Sequence, residues 1–337
     1  MYVIPTPDEA SRLAALERLD GLVKPLGALG RLEEIAAWLS AAHGSVPPRP
    51  LDDVRVVVFA GDHGVSALSA YPREVTAAMV RVFLAGKSGV NVLAAQVGAK
   101  VRVADLGVDW DGSDVPPEVT AHKIRRGSGS IDVEDALEPG QAFAAFEAGR
   151  AIAEEESAAD LLIPGDMGIG NTAMCAALVA ATLGLPAEEV VGAGTGVDDA
   201  GLARKIDAVS AALTRTEGRV DDPFDRLTAL GSACVAATAG FLVQAAVRGI
   251  PVLLDGVFSG AAALVARDIA PGAERWWLAG HRSTEPSQAF ALKALGLEPI
   301  LDLGLRLGEG SGAVQAVPTL RAAQAILAEM GLLADLA

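Results

Sequence analysis

Three stretches of the chain carry residue types at spacings that suit a small anionic ligand. In DLLIPGDMGIGNTAMCAALVA (160–180), the run Gly168-Ile169-Gly170-Asn171-Thr172-Ala173 fits G-x-G-x-x-[GA] between an apolar run and a helical pattern. Glycines there let the backbone approach a phosphate. The helix start adds free N–H groups and a positive dipole end, and Asn171 or Thr172 can cap it. A turn needed only for packing has the same pattern. GAGTGVDDAGLARKIDAV (192–209) is a second such turn, with Gly194 and Thr195 in it and Lys205 in the helix that follows. Lys205 can meet an anion held between the two loops as a point charge, or it can face solvent. In LGEGSGA (307–313), Glu309 stands among glycines and a serine. Small neighbours expose its carboxylate to a flat ligand, and an apolar pocket would raise its pKa into the range of a general base; a solvated loop glutamate is the alternative.

Other residues bound the chemistry. No G-x-x-x-x-G-K-[ST] is present, so ATP and Mg²⁺ are not implied. No acidic residue follows the glycine turn at the spacing that binds a dinucleotide ribose. That weighs against an NAD(P)-dependent oxidoreductase and leaves a non-catalytic nucleotide-binding protein as a second rival. Asp62, His63, Asp255 and His281 fall at predicted strand ends, but no H-x-H or H-x-x-x-H spacing supports a metal site. Asp62 and Asp255 are expected to accept hydrogen bonds from loop N–H groups. Ser69, Tyr71 and Met79, in AGDHGVSALSAYPREVTAAM (60–79), can line an apolar pocket or belong to the core.

Positioning these residues requires strands and helices in alternation. Apolar runs at 54–62, 100–108, 160–166, 189–194, 250–256, 275–281 and 298–303 read as strands. Helical patterns cover 72–85, 88–98, 140–157, 171–184, 200–214, 231–248, 257–267 and 286–296. Continuously apolar strands in this order predict an α/β fold, a parallel Rossmann-like sheet with helices on both faces. Ligands then bind at the carboxyl edge, where the glycine turns fall. The first 45 residues read as helical from the spacing of Leu26, Leu29, Leu32, Ile35, Trp38 and Leu39, and the chain after Ser311 reads as helical again. The expected division is a small helical domain from 1–46 and 314–337 beside a large α/β domain from 51–313, with Pro47 to Pro50 as linker.

Composition agrees. Of 337 residues, 51% are hydrophobic and 4% aromatic, and the formal charge is −16. Disorder is excluded. A nucleic-acid partner held by a basic face or by stacked aromatics is not expected. Cys175 and Cys234 lie in apolar runs and read as buried thiols. The uncharged stretch Leu227–Val247 is long enough to span a membrane but rich in Ala, Gly, Ser and Thr, so a buried helix is expected. The N-terminus has no signal-peptide pattern, and the expected location is cytoplasmic.

Eight stretches in order resemble one family: LDGLVKPLGALGRLEEIA, GDHGVSALSAYPREVTAAM, GKSGVNVLAAQVGAKV, IPGDMGIGNTA, VVGAGTGVDDAGLARK, PVLLDGVFSGAAAL, GHRSTEP and LRLGEGSGA. The family is nicotinate-nucleotide–dimethylbenzimidazole phosphoribosyltransferase, which makes the lower-ligand nucleotide of cobalamin. The resemblance runs from Leu19 to Ala313. It implies phosphoribosyl transfer from nicotinate mononucleotide to 5,6-dimethylbenzimidazole, no cofactor, and a homodimer. It places the general base at Glu309 and a supporting anion at Asp166. Phosphate and ribose fall to Gly168, Gly170, Asn171, Thr172, Gly194, Thr195 and Lys205, and the benzimidazole pocket to the stretch Tyr71 to Met79, with Ser69 beside it. Two features depart from the family pattern. Asp166 stands where Glu is usual, one methylene shorter, and the segment between GDHGV and SAYP is shorter.

Overall fold

The computed structural model describes residues 2–336. In chain order, helices α1 (Glu9–Asp20) and α2 (Arg31–His43) precede strand β1 (Val54–Gly61). Then come α3 (Val75–Leu84), α4 (Gly89–Gln96), β2 (Lys100–Gly107), α5 (Pro117–Thr120), α6 (Gln141–Glu155), β3 (Leu161–Met167) and α7 (Asn171–Leu183). They are followed by α8 (Ala187–Val190), α9 (Asp199–Thr216), α10 (Pro223–Leu230), α11 (Ala233–Arg248), β4 (Val252–Leu254) and α12 (Val257–Ile269). Strand β5 (Trp277–His281), α13 (Pro286–Leu295), β6 (Pro299–Leu301) and α14 (Ser311–Glu329) complete the order.

The six strands form one parallel sheet in the order β2-β1-β3-β4-β5-β6. The order reverses at β1 and β3, which places a crevice beyond their carboxyl ends. Alternation along β1 shows how both faces are covered. Val57 and Phe59 point into one apolar cluster with α6, α7, α11 and α12. Val54, Val56, Val58 and Ala60 point into the other, with α1, α2 and α14. On the first face α6 and α11 cross with backbones nearly touching. A Cβ on Gly149 would lie 1.7 Å from the Ala237 carbonyl oxygen, and one on Gly240 would lie 1.9 Å from that of Phe146. On the second face α1, α2 and α14 pack together, and a bridge joins Leu22 to Leu332.

Three expectations are corrected. The run 189–194 is not a strand: Ala187–Val190 is a helical turn and Gly192 onward is loop. Pro186 presets its entry, and Glu188 and Glu189 in its first turn suit a helix N-terminus. The N-terminal pattern is helical only to Asp20 and again from Arg31. Between them Pro25, Gly27 (φ 68°) and Gly30 (φ 50°) bend the chain, leaving Leu26 exposed. The uncharged stretch 227–247 is two elements, broken at Gly231 and Ser232, where the Ser232 side chain caps α11. Leu227 and Ala233 to Ala246 are buried inside the protein, as a core helix requires. Val75–Gln96 is also apolar and long enough to cross a membrane, but it divides into α3 and α4 at residues 85–88.

Candidate active site

The crevice beyond β1 and β3 is a cleft of about 550 Å³. Its floor is the β3–α7 turn: Asp166, Gly168, Gly170, Asn171 and Thr172 all line it. Gly170, at φ 96°, supplies the left-handed residue that lets α7 begin at Asn171. The second loop forms the wall, with Gly194 and Thr195, and Lys205 reaches in from α9. Lys205 is 3% exposed. Its Nζ donates to Thr172 Oγ1 at 3.0 Å and to the Gly192 carbonyl at 2.6 Å, so one cation ties the two loops together. Among the described residues no carboxylate lies within ion-pair distance of it. Burial holds its pKa below the usual lysine range, and the field of Glu285 opposes that shift. A buried cation between two glycine-rich loops is an arrangement that suits a small anion.

Glu309 does not itself border the cleft; it follows Leu307, which does, and Gly308, which lines the adjoining pocket. The Glu309 backbone has φ 65°, the one left-handed non-glycine residue among those described, a conformation that costs about 1–2 kcal/mol. Close packing enforces it. Gly165 on β3 lies so near that a Cβ there would stand 2.2 Å from the Glu309 carbonyl oxygen. Asp255, after β4, accepts from Gly310 N at 3.1 Å and Ala313 N at 2.9 Å, with His281 Nε2 at 3.5 Å from its carboxylate. Asp255 therefore anchors the start of α14 through loop N–H groups, as expected. The Glu309 carboxylate accepts from Val90 N at 3.0 Å. Burial raises its pKa; the Val90 N–H and the Ser88 hydroxyl pull it down, and Asp255 pushes it up. Asp166, 7% exposed, accepts from Asn171 Nδ2. Burial first, then Asp255 and Glu309, raise its pKa to about 7, against the Asn171 hydrogen bond. Asp166, which lines the cleft, thus feels two further carboxylates that stand off its lining, and crowding of that kind keeps protons on acids near neutrality.

The remaining expected residues fall as follows. Ser69 lines the cleft with Leu68. Tyr71 is 52% exposed, and Met79 packs against the core beneath β1; neither borders the cleft. The link from α3 is Thr76, whose Oγ1 accepts from Ile169 N at 3.2 Å. Asp62 accepts from Asp109 N at 2.8 Å. His63 is buried beneath Gly168, and burial lowers its pKa to about 4, so its ring is neutral. Among the described residues no group of three or more His, Cys, Asp or Glu could hold a metal. Both cysteines are buried and free, and burial pushes the Cys234 thiol up to about 12.

Two site residues escape the sequence reading. Glu285 accepts from Gly194 N at 2.7 Å and holds the second loop from below. Arg306 reaches the Gly194 carbonyl at 3.3 Å and lines the adjoining pocket with Asp166, Ser283 and Gly308. Arg306 stands in the same LRLGEGSGA stretch as Glu309, a signal that was available. Glu285, in GHRSTEP, carried none beyond the resemblance.

Comparison with known proteins agrees with this arrangement. Residues 4–336 match the family DBI_PRT, described as phosphoribosyltransferase. The nicotinate-nucleotide–dimethylbenzimidazole phosphoribosyltransferase of Mycolicibacterium paratuberculosis is 56% identical over 333 residues, 98% of this chain and 95% of that protein. The protein of the same name from Mycobacterium tuberculosis is 55% identical, over 97% of this chain and 91% of its own. A crystal structure of CobT from Thermus thermophilus superposes with a TM-score of 0.92 at 44% identity, covering 97% of this chain and 98% of its own. A second structure from Thermus thermophilus, titled as the phosphoribosyltransferase itself, gives 0.91 at 42% identity, over 98% of both chains. With the family model matched from residue 4 to 336 and relatives matched along nearly their whole length, this chain belongs to the nicotinate-nucleotide–dimethylbenzimidazole phosphoribosyltransferase family.

Proposed function

We propose that this chain moves the 5-phosphoribosyl group of nicotinate mononucleotide to 5,6-dimethylbenzimidazole, releasing nicotinate and forming α-ribazole 5′-phosphate, with Glu309 as the base. The observation that carries the assignment of the base is the buried Glu309 carboxylate, held in a left-handed turn two residues after Leu307, which lines the cleft with Lys205 and the two glycine loops. The loops and Lys205 take the 5′-phosphate, with Arg306 as a second cation at the rim, and so fix the ribose. The C1′–N bond to the pyridinium breaks, and its electron pair goes to the ring nitrogen. Nicotinate therefore needs no proton to leave. The acceptor nitrogen attacks C1′ from the opposite face, which turns a β-nucleotide into an α-nucleotide. The acceptor's N–H proton passes to Glu309. Positive charge builds on the ribose meanwhile. The cationic donor itself draws Asp166 toward its anionic form, and that carboxylate then stabilises the ribose charge. The resemblance to the family also supports a homodimer as the working form.

Glu309→Gln tests the assignment of the base. Turnover is expected to fall on the order of 10²–10⁴-fold, the usual contribution of a general base, while donor affinity measured by calorimetry is retained. Turnover near that of the unaltered protein would remove Glu309 from the role.

A further inference from the structure

The stretch GKSGVN (86–91) has no part in the reaction as described so far, yet it meets the base directly. It forms the first turn of α4, capped at Ser88. Ser88 Oγ accepts from Asn91 N at 3.2 Å, and the Asn91 side chain accepts from Ser88 N at 3.3 Å, a closed capping box. One of the next N–H groups, that of Val90, is free of this box and donates to Glu309 Oε2 at 3.0 Å. Gly89 completes the contact. A Cβ there would lie 2.6 Å from Leu307 Cδ2 and 3.4 Å from Glu309 Oε2, so a larger residue would have to push the Leu307 side chain aside.

We propose that the Ser88–Asn91 turn positions the general base: it holds the Glu309 carboxylate, in its charged form, on the N-terminus of α4 until the acceptor's proton arrives. The proposal rests on Glu309 being the base. The Ser88 hydroxyl donates to Asn91 Oδ1 at 2.7 Å and closes the turn. The closed turn presents the Val90 N–H to the Glu309 carboxylate, and that N–H and the dipole of α4 both favour the charged form. Ser88 is therefore a positioning residue that acts on Glu309 through the turn.

Ser88→Ala removes the hydroxyl and keeps the volume close. The measurement is kcat/KM against pH with nicotinate mononucleotide and dimethylbenzimidazole, together with the melting temperature. The sign follows from loosening the turn that aims the Val90 N–H at the charged carboxylate. Glu309 protonates at higher pH, so the acid limb of the profile moves up, and the loss at the acid end exceeds that near neutrality by roughly tenfold, the factor for one hydrogen bond to a charged group. Ser88→Thr, which restores a hydroxyl, returns the limb. Ser88→Gly, which a helix start tolerates better than alanine, gives the same shift if Ser88→Ala folds poorly. The other charged or titratable groups around Glu309 are Asp166 after β3, Asp255 after β4, His281 at the end of β5, Arg306 on its own loop and Lys87 beside Ser88. All are retained in every variant. A uniform fall in rate with the limb unmoved would mean that Ser88 only supports the helix, and would overturn the proposal. A collapse of turnover in Glu309→Gln alongside that outcome would leave the base assignment standing; persistence of turnover in Glu309→Gln would remove both.

Discussion

At the scale of single residues the site works by keeping charges where water would normally not leave them. Lys205 is buried without a carboxylate in contact, so its charge is satisfied only by Thr172, Gly192 and the field of Glu285. In the proposed function a 5′-phosphate supplies its countercharge. Lys205→Ala is therefore expected to raise KM for nicotinate mononucleotide by roughly tenfold or more, the effect of a lost charge-assisted hydrogen bond, with a smaller effect on kcat. An unchanged KM would take Lys205 out of the phosphate site. Asp166 carries the converse strain. Its carboxyl is raised from 3.8 to about 7, mainly by burial. Between those values the folded chain holds a proton that the unfolded chain has released, so stability drains away as pH rises through this window and the full penalty stands above it. Asp166→Asn cannot ionise. Its melting temperature should exceed that of the unaltered protein near pH 8 and converge with it toward pH 4, while turnover falls. A gain that grew toward acid would contradict this account of the site.

At the scale of elements, the strand ends and helix starts decide what reaches the cleft. Gly165 on β3 leaves space for the Glu309 peptide, and Asp255 pins the first turn of α14. The other face depends on the α6–α11 crossing, where Gly149 and Gly240 each face a carbonyl of the partner helix. Gly149→Ala forces the helices apart and is expected to cost about 1–3 kcal/mol, measured by denaturant unfolding. A cost near zero would show that the crossing yields freely. Elements of this kind were legible where the local pattern was strong: β1 is a valine-rich run, β3 opens on the apolar Leu161-Leu162-Ile163, and the turn before α7 follows from its glycines. The run 189–194 misled because a short apolar stretch ending in Gly-Ala-Gly does not separate strand from loop. Glu285 was hidden because its partner, Gly194, is 91 positions away, and Arg306 meets Gly194 across 112. Tyr71 was drawn in by its aromatic ring, but nothing local in the sequence showed that it would face solvent.

At the scale of the whole molecule, the −16 charge and the anionic ligand are compatible because the ligand is small. One phosphate needs two loops of N–H groups and one buried lysine, whereas a polyanion would need a basic face. The parallel sheet gathers both loops, Asp166 and the Glu309 turn at one edge, from positions far apart along the chain. Such a design serves group transfer between two small molecules, with the carboxylate proposed as the base already in place. The most direct test is to incubate the purified protein with nicotinate mononucleotide, with and without 5,6-dimethylbenzimidazole, and to follow free nicotinate and the configuration of the new nucleotide. The account predicts nicotinate release that depends on the acceptor and yields the α-anomer in equal amount. Release without the acceptor, or a β-anomeric product, would contradict it.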